Sequence, residues 1–128
     1  MKLLLDTNIL LWLAADILPE TAARYILDES NTLLFSPASI WEVVIKRGLN
    51  RADFIVDPTA LYRGLLDNGY EELRITGKHA LTVSSLPLLH KDPFDRMLLA
   101  QAVSEGIPLM TADACVAQYP ADIIFIGK

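Results

Sequence analysis

Residues 2–8 read Lys2-Leu3-Leu4-Leu5-Asp6-Thr7-Asn8. Leu3, Leu4 and Leu5 form a short, unbroken apolar run. Such a run suits a strand covered on both faces, as in a parallel sheet. It stops at a carboxylate, a hydroxyl and an amide, and Ile9-Leu10-Leu11-Trp12-Leu13 then continues as a helix would. A buried strand ending this way delivers polar groups to the carboxyl edge of a sheet, where open α/β folds place their ligands. A local reading competes with that one. Asp, Thr and Asn all cap helices well, so Asp6 as a helix start alone also explains the triplet.

Working outward, strands and helices alternate. Helices are expected at Asn8–Ala15, Thr21–Glu29, Pro37–Arg47, Pro58 to Asn68-Gly69, Lys78–Ser85 and Pro93–Glu105. Strands are expected at Thr32–Phe35, Leu73–Thr76, Pro108–Met110 and Ile123–Ile126. Three helix starts share one form, Ser36-Pro37, Asp57-Pro58 and Asp92-Pro93, with a capping side chain followed by proline at the first helical position. Gly48 is a plausible stop, and the helix from Pro93 continues to Glu105-Gly106. There is no repeat, low-complexity tract or linker, and 128 residues fit a single α/β domain spanning 1–128. Strands separated by helices predict a parallel sheet with right-handed crossovers. Leu3, Leu5, Leu33, Phe35, Leu109, Ile123 and Phe125 are the expected core.

The chain is 52% hydrophobic with a formal net charge of −5, and its mean hydropathy is +0.33. That hydropathy predicts buried strands and some apolar surface meant for a partner. On the helix from Pro37, Ile40, Val43 and Val44 form one stripe, while Trp41 and Ile45 lie off it. A helix apolar nearly all round is covered on more than one side, by a partner or by a neighbouring helix of the same chain. The acidic balance excludes non-specific, charge-driven binding to nucleic acid. Any such contact must use local basic groups or metal ions. Lys46, Arg47, Arg51 and Arg96 are the candidates for phosphate contact, although the first three also suit a solvated helix end. Cys115 is the one cysteine, which excludes an internal disulfide and fits a reducing cytosol. Asp6 and Asn8 interrupt the apolar N-terminus and argue against a signal peptide. No stretch approaches the ~20 apolar residues of a membrane span.

Four carboxylates fall at strand ends or helix starts. Asp6 follows the first strand, Glu42 lies on the second turn of the helix after the second, and Asp113 lies just past the fourth. A parallel sheet brings these three to one edge. Asp95 joins them if its helix starts there. Converging carboxylates repel, and burying them costs several kcal/mol each unless something compensates. A hard divalent cation does so, and Mg²⁺ and Mn²⁺ prefer carboxylate and water oxygens. His79 and His90 are isolated in the sequence and are read as ordinary surface or packing residues, so zinc is not expected.

Four segments carry a resemblance: Leu4-Leu5-Asp6-Thr7-Asn8, Ser39-Ile40-Trp41-Glu42, Asp92 to Ala102 beginning Asp-Pro-Phe-Asp-Arg, and Leu109-Met110-Thr111-Ala112-Asp113. In this order and spacing, over essentially the whole chain, they resemble PIN-domain ribonucleases, and within them the VapC-type toxins of bacterial toxin–antitoxin pairs. The resemblance implies a three-layer sandwich around a five-stranded parallel sheet in the order 3-2-1-4-5. It implies that Asp6, Glu42, Asp95 and the more variable Asp113 are catalytic acids holding Mg²⁺ or Mn²⁺. Thr7 and Asn8 match polar groups beside the first acid, and Thr111 matches the hydroxyl residue two before the last acid, which serves as an orienting group. Asp92 is assigned to the helix cap. The implied activity is metal-dependent hydrolysis of RNA phosphodiesters in the cytoplasm, by a homodimer held in check by a small antitoxin.

Rival classes leave different marks. A phosphatase with an Asp nucleophile after its first strand wants a second Asp two residues on, where this chain has Asn8. A catalytically silent RNA- or protein-binding module predicts a lost acid, and none is lost here. A purely structural reading makes all four acids caps or surface residues.

Overall fold

The leucine run forms β1 (Lys2–Leu5), with all three leucines fully buried. The computed structural model describes residues 1–51 and 54–127. After β1 come α1 (Thr7–Ala14), α2 (Glu20–Leu27), β2 (Thr32–Phe35), α3 (Pro37–Gly48) and α4 (Pro58–Asp67). Then follow β3 (Glu71–Glu72), α5 (Gly77–Val83), α6 (Pro93–Glu105), β4 (Leu109–Thr111), a 3-10 turn at Val116–Gln118, and β5 (Ile123–Phe125). The strands pair in parallel in the order β3-β2-β1-β4-β5. Leu3 lies beside Leu33 and Leu5 beside Met110.

Successive strand side chains point to opposite faces, so the leucine run feeds two cores. Leu3 and Leu5 join Ile9, Leu10, Phe35, Val43, Leu61 and Met110 on the face covered by α1 to α4. Leu4 joins Leu34, Leu98, Leu99, Leu109 and Val116 on the face covered by α6. The three layers of the expected sandwich follow from this division.

The three proline-led helix starts are capped as their sequences predict. Ala38 N–H donates to Ser36 Oγ at 3.0 Å, Thr59 N–H to Asp57 Oδ1 at 3.2 Å, and Phe94 N–H to Asp92 Oδ1 at 2.8 Å. Proline at the first position gives up an N–H that has no partner inside the helix. Helix α6 ends at Gly106 with φ 67° and ψ 35°, a left-handed conformation that glycine adopts without Cβ strain. No helix among the described residues is long and apolar enough to cross a membrane.

Two expectations are corrected. The third strand is Glu71–Glu72, paired with Leu34 and Phe35, and not Leu73–Thr76. It is an edge strand, where charge is tolerated because only one side is paired; apolar content therefore points to the wrong residues. Of the expected core, Leu3, Leu5, Phe35 and Leu109 are fully buried, but Leu33 and Ile123 are only partly covered and Phe125 is 49% exposed. Ile123 and Phe125 lie on β5, the other edge, whose faces the helices cover incompletely.

Candidate metal centre

Asp6 closes β1 and is 2% exposed. It starts α1, because Thr7 N–H donates to its Oδ1 at 2.7 Å. Its second oxygen does something a cap does not require. Thr111 Oγ1, at the end of β4, donates to Asp6 Oδ2 at 2.7 Å. The same hydroxyl accepts Asp113 N–H at 3.0 Å. Pairing of β1 with β4 thus sets Asp6 beside Thr111 and Asp113. Thr7 Oγ1 donates to Ser39 Oγ at 2.9 Å, which ties the start of α1 to α3.

Helix α3 delivers Glu42, 5% exposed, to the same edge. Lys46, one turn on, places its Nζ 2.7 Å from Glu42 Oε2 and 3.8 Å from Asp92 Oδ2. Burial opposes the Lys46 ammonium, but the hydrogen bond and charge of Glu42 and the charge of Asp92 outweigh it and raise its pKa. Glu42 Oε1 is buried and has no hydrogen-bond partner, and neither does Asn8 Oδ1.

Helix α6 supplies the remaining acid, and here two aspartates divide the work. Asp92 caps the helix, accepting from Phe94 N–H and from Asp95 N–H at 3.3 Å. Asp95, three residues on, turns its carboxylate towards the other acids. Its Oδ2 lies 2.7 Å from His90 Nε2. Asp113 Oδ1 accepts Cys115 N–H at 2.8 Å.

Asp6, Glu42, Asp92, Asp95, Asp113 and His90 all line one open cleft of about 470 Å³, with Thr7 and Asn8 in its wall. Burial pushes Asp6 up to about 6, against its hydrogen bonds from Thr111 and Thr7, and the charges of Glu42 and Asp113 add to the rise. Burial pushes Asp95 up to about 7, helped by the charges of Asp6, Asp92 and Glu42 and opposed by the His90 hydrogen bond. Both shifts arise first from burying a carboxylate and then from the like charges beside it, neither of which the hydrogen bonds present fully offset. One ligand atom from each of His90, Asp95 and Asp113 lies within 4.8 Å of the others. That spacing, the unpartnered Glu42 Oε1 and the carboxylate-rich donor set fit a divalent cation.

The basic candidates separate. Lys46 and Arg51 line the cleft, stacked over Phe54 at 5.1 and 5.7 Å from its ring centre. Arg47 instead pairs with Asp57 at 3.1 Å on the exposed surface. Arg96 is turned away from the cleft. Its guanidinium donates to the carbonyls of Pro87 at 2.9 Å, Val83 at 3.1 Å and Leu86 at 3.5 Å. Arg96 follows Asp95 directly in the chain, but consecutive residues on a helix point about 100° apart. Sequence reasoning missed His90. Its position just before the Asp92-Pro93 helix start was the available signal, because a residue there shares an edge with the first turn.

The PIN domain family matches residues 3–121 of the chain. No curated protein matches it. Among solved structures, the fold is similar to VapBC2 from Rickettsia felis bound to a DNA fragment from their promoter, with a TM-score of 0.73 and 17% identity, covering 99% of this chain and 98% of that one. It is similar to DNA-bound VapBC from Salmonella typhimurium at 0.71 and 20%, covering 98% of each chain. VapBC-5 from Mycobacterium tuberculosis follows at 0.65 and 16%, covering 99% and 98%. At these identities the likeness speaks for the fold, while the family match runs from Leu3 in β1 past β4 to residue 121, most of the chain: the chain belongs to the PIN domain family.

Proposed function

We propose that this chain, as a single domain, is a metal-dependent endoribonuclease and the toxin of a toxin–antitoxin pair. The observation that carries the reading is the convergence of Asp6, Glu42, Asp95 and Asp113 on one open cleft, with a buried Glu42 oxygen left without a partner. Acids that only started helices would not share a cleft. PIN-family membership supports nuclease chemistry, and the VapBC complexes among the structural neighbours support a cognate antitoxin.

Asp6, Glu42, Asp95 and Asp113 would hold Mg²⁺ or Mn²⁺. When bound, the ion supplies Lewis acidity to the scissile phosphate and to an attacking water. The chain's own groups do the positioning. Thr7 N–H and the Thr111 hydroxyl fix both oxygens of Asp6, so that carboxylate needs no reorganisation. Lys46 holds Glu42 in one orientation and brings positive charge to the cleft, where Arg51 adds to it. Together they offer a local landing site for RNA phosphate on a protein of net charge −5.

Trp41, Val44 and Ile45 on α3 are 60%, 50% and 39% exposed, although the Trp41 ring meets Phe94 edge-on at 5.2 Å. This apolar face supports a protein partner, a second copy or the antitoxin. A reducing cytosol suits the single cysteine. The test is cleavage of total RNA by the purified chain with and without Mg²⁺ or Mn²⁺. Metal-dependent cuts at few positions, blocked by the product encoded next to it, are expected. Cleavage that survives EDTA would overturn the reading.

A further inference from the structure

His90 belongs to no carboxylate motif, yet it stands in the cleft with its Nε2 2.7 Å from Asp95 Oδ2. It is held there with unusual care for a loop residue. Its N–H donates to Tyr119 Oη at 2.8 Å, and that hydroxyl donates to His90 O at 3.3 Å. Tyr119 is 4% exposed and also accepts from Arg96 Nη1 at 3.3 Å. Arg96 in turn binds the carbonyls of Val83, Leu86 and Pro87. The loop bearing His90 is therefore clasped to α6 and to the turn before β5. The clasp grips the backbone at position 90 and so fixes where the imidazole enters the cleft.

The chemistry narrows the task. His90, Asp95 and Asp113 each offer one donor atom within a 4.8 Å spread, and Glu42, which lines the same cleft, has a buried oxygen with no hydrogen-bond partner. We propose that His90 is a metal-holding residue of this centre, giving it one nitrogen among oxygen donors and a preference for Mn²⁺ over Mg²⁺. An imidazole nitrogen binds Mg²⁺ poorly and binds transition-metal ions well, while the carboxylates serve either ion. The 2.7 Å contact between Nε2 and Oδ2 already holds the two donor atoms side by side, where a cation would take both. The inference rests on the metal-centre reading above and goes beyond it in naming the donor and the ion preferred.

The experiment is pulsed EPR of the full chain loaded with Mn²⁺, alongside calorimetric titration with Mn²⁺ and with Mg²⁺. The chain has two histidines, and His79 is 1% exposed and engaged by Glu105, so an imidazole coupling has one source in the cleft. An imidazole-nitrogen coupling is expected, changed when histidine is labelled with heavy nitrogen, retained in H79Q and lost in H90Q. H90Q should weaken Mn²⁺ binding by about tenfold or more, and Mg²⁺ binding far less. Mn²⁺ bound without an imidazole coupling would overturn the role of His90 and leave the carboxylate centre standing. No Mn²⁺ or Mg²⁺ bound by the unaltered chain would overturn both. The labelled unaltered protein gives the answer even if H90Q does not fold.

Discussion

Helix α6 carries a histidine–carboxylate pair at each end. At its start, His90 Nε2 lies 2.7 Å from Asp95; at its end, His79 Nε2 lies 2.8 Å from Glu105. Bond lengths alone make them look equivalent. Their surroundings differ. The His79 side chain is 1% exposed, and its Nδ1 accepts Thr76 N–H at 3.0 Å, so both ring nitrogens are occupied inside a capping box that starts α5. That pairing fixes the neutral tautomer with hydrogen on Nε2, which donates to Glu105. The His90 side chain is 28% exposed and faces a cleft lined by four further acids besides its own partner. A closed pair holds two helices together. An open pair, crowded by like charge, is available for exchange with a cation.

The contrast breaks most readily at Asp95. D95N should lower RNA cleavage by about a thousandfold if the carboxylate holds the ion. Metal-free stability should change little or rise, because one charge leaves a repelling cluster, and the stabilisation by Mn²⁺ should shrink. D6N and E42Q should show the same pattern. A D95N protein that melts lower but cleaves at the normal rate would make Asp95 only a helix-start residue. Rates and melting curves with and without Mn²⁺ decide this.

Next in size is a pH effect on the chain in EDTA. Unfolded carboxyls release their protons near 3.8, while Asp6 and Asp95 hold theirs to about 6 and about 7. Between those values the folded chain binds more protons than the unfolded one, so stability is greatest below the window and falls as pH rises through it. The loss is roughly 3 kcal/mol for Asp6, with a linked contribution from Asp95. Urea unfolding across the window measures it, and saturating Mn²⁺ should flatten the slope. A metal-free chain that gains stability from pH 4 to 7 would contradict the burial and crowding of these two acids.

At the other end of α6, H79A should cost about 2 kcal/mol by leaving Thr76 N–H unpaired and opening a void, with RNA cleavage per folded molecule unchanged. Lost cleavage there would erase the distinction between the two pairs. The smallest effect belongs to Y119F, at about 1 kcal/mol for the clasp hydroxyl. Amide exchange should quicken between residues 83 and 90, and Mn²⁺ affinity should fall by less than in H90Q.

Much of this was legible in the residue pattern because local physics decided it. The run Leu3-Leu4-Leu5 is apolar enough for burial on both faces wherever it lies, and a capping side chain before proline starts a helix with little outside help. Asp6 illustrates where pattern reading divides. It caps α1, as the local reading says, and its second oxygen reaches Thr111 across the sheet. The two roles use different oxygens and never conflicted. Edge strands were the weak point. Pairing on one side leaves little demand for apolar residues, so β3 formed from two glutamates and Phe125 stayed half exposed.

The order of strands and helices, the three proline-led caps and the alignment of the four acids with strand ends and helix starts can all be read from the chain, because each depends on neighbours within a few residues. The orientation of single side chains at the site cannot. Arg96 left the cleft for three carbonyls, Lys46 settled on Glu42, and His90 came to Asp95 from a loop. Each depends on which groups the folded chain leaves unsatisfied nearby, and those groups meet only after the sheet has brought residues 6, 42, 95 and 113 to one edge.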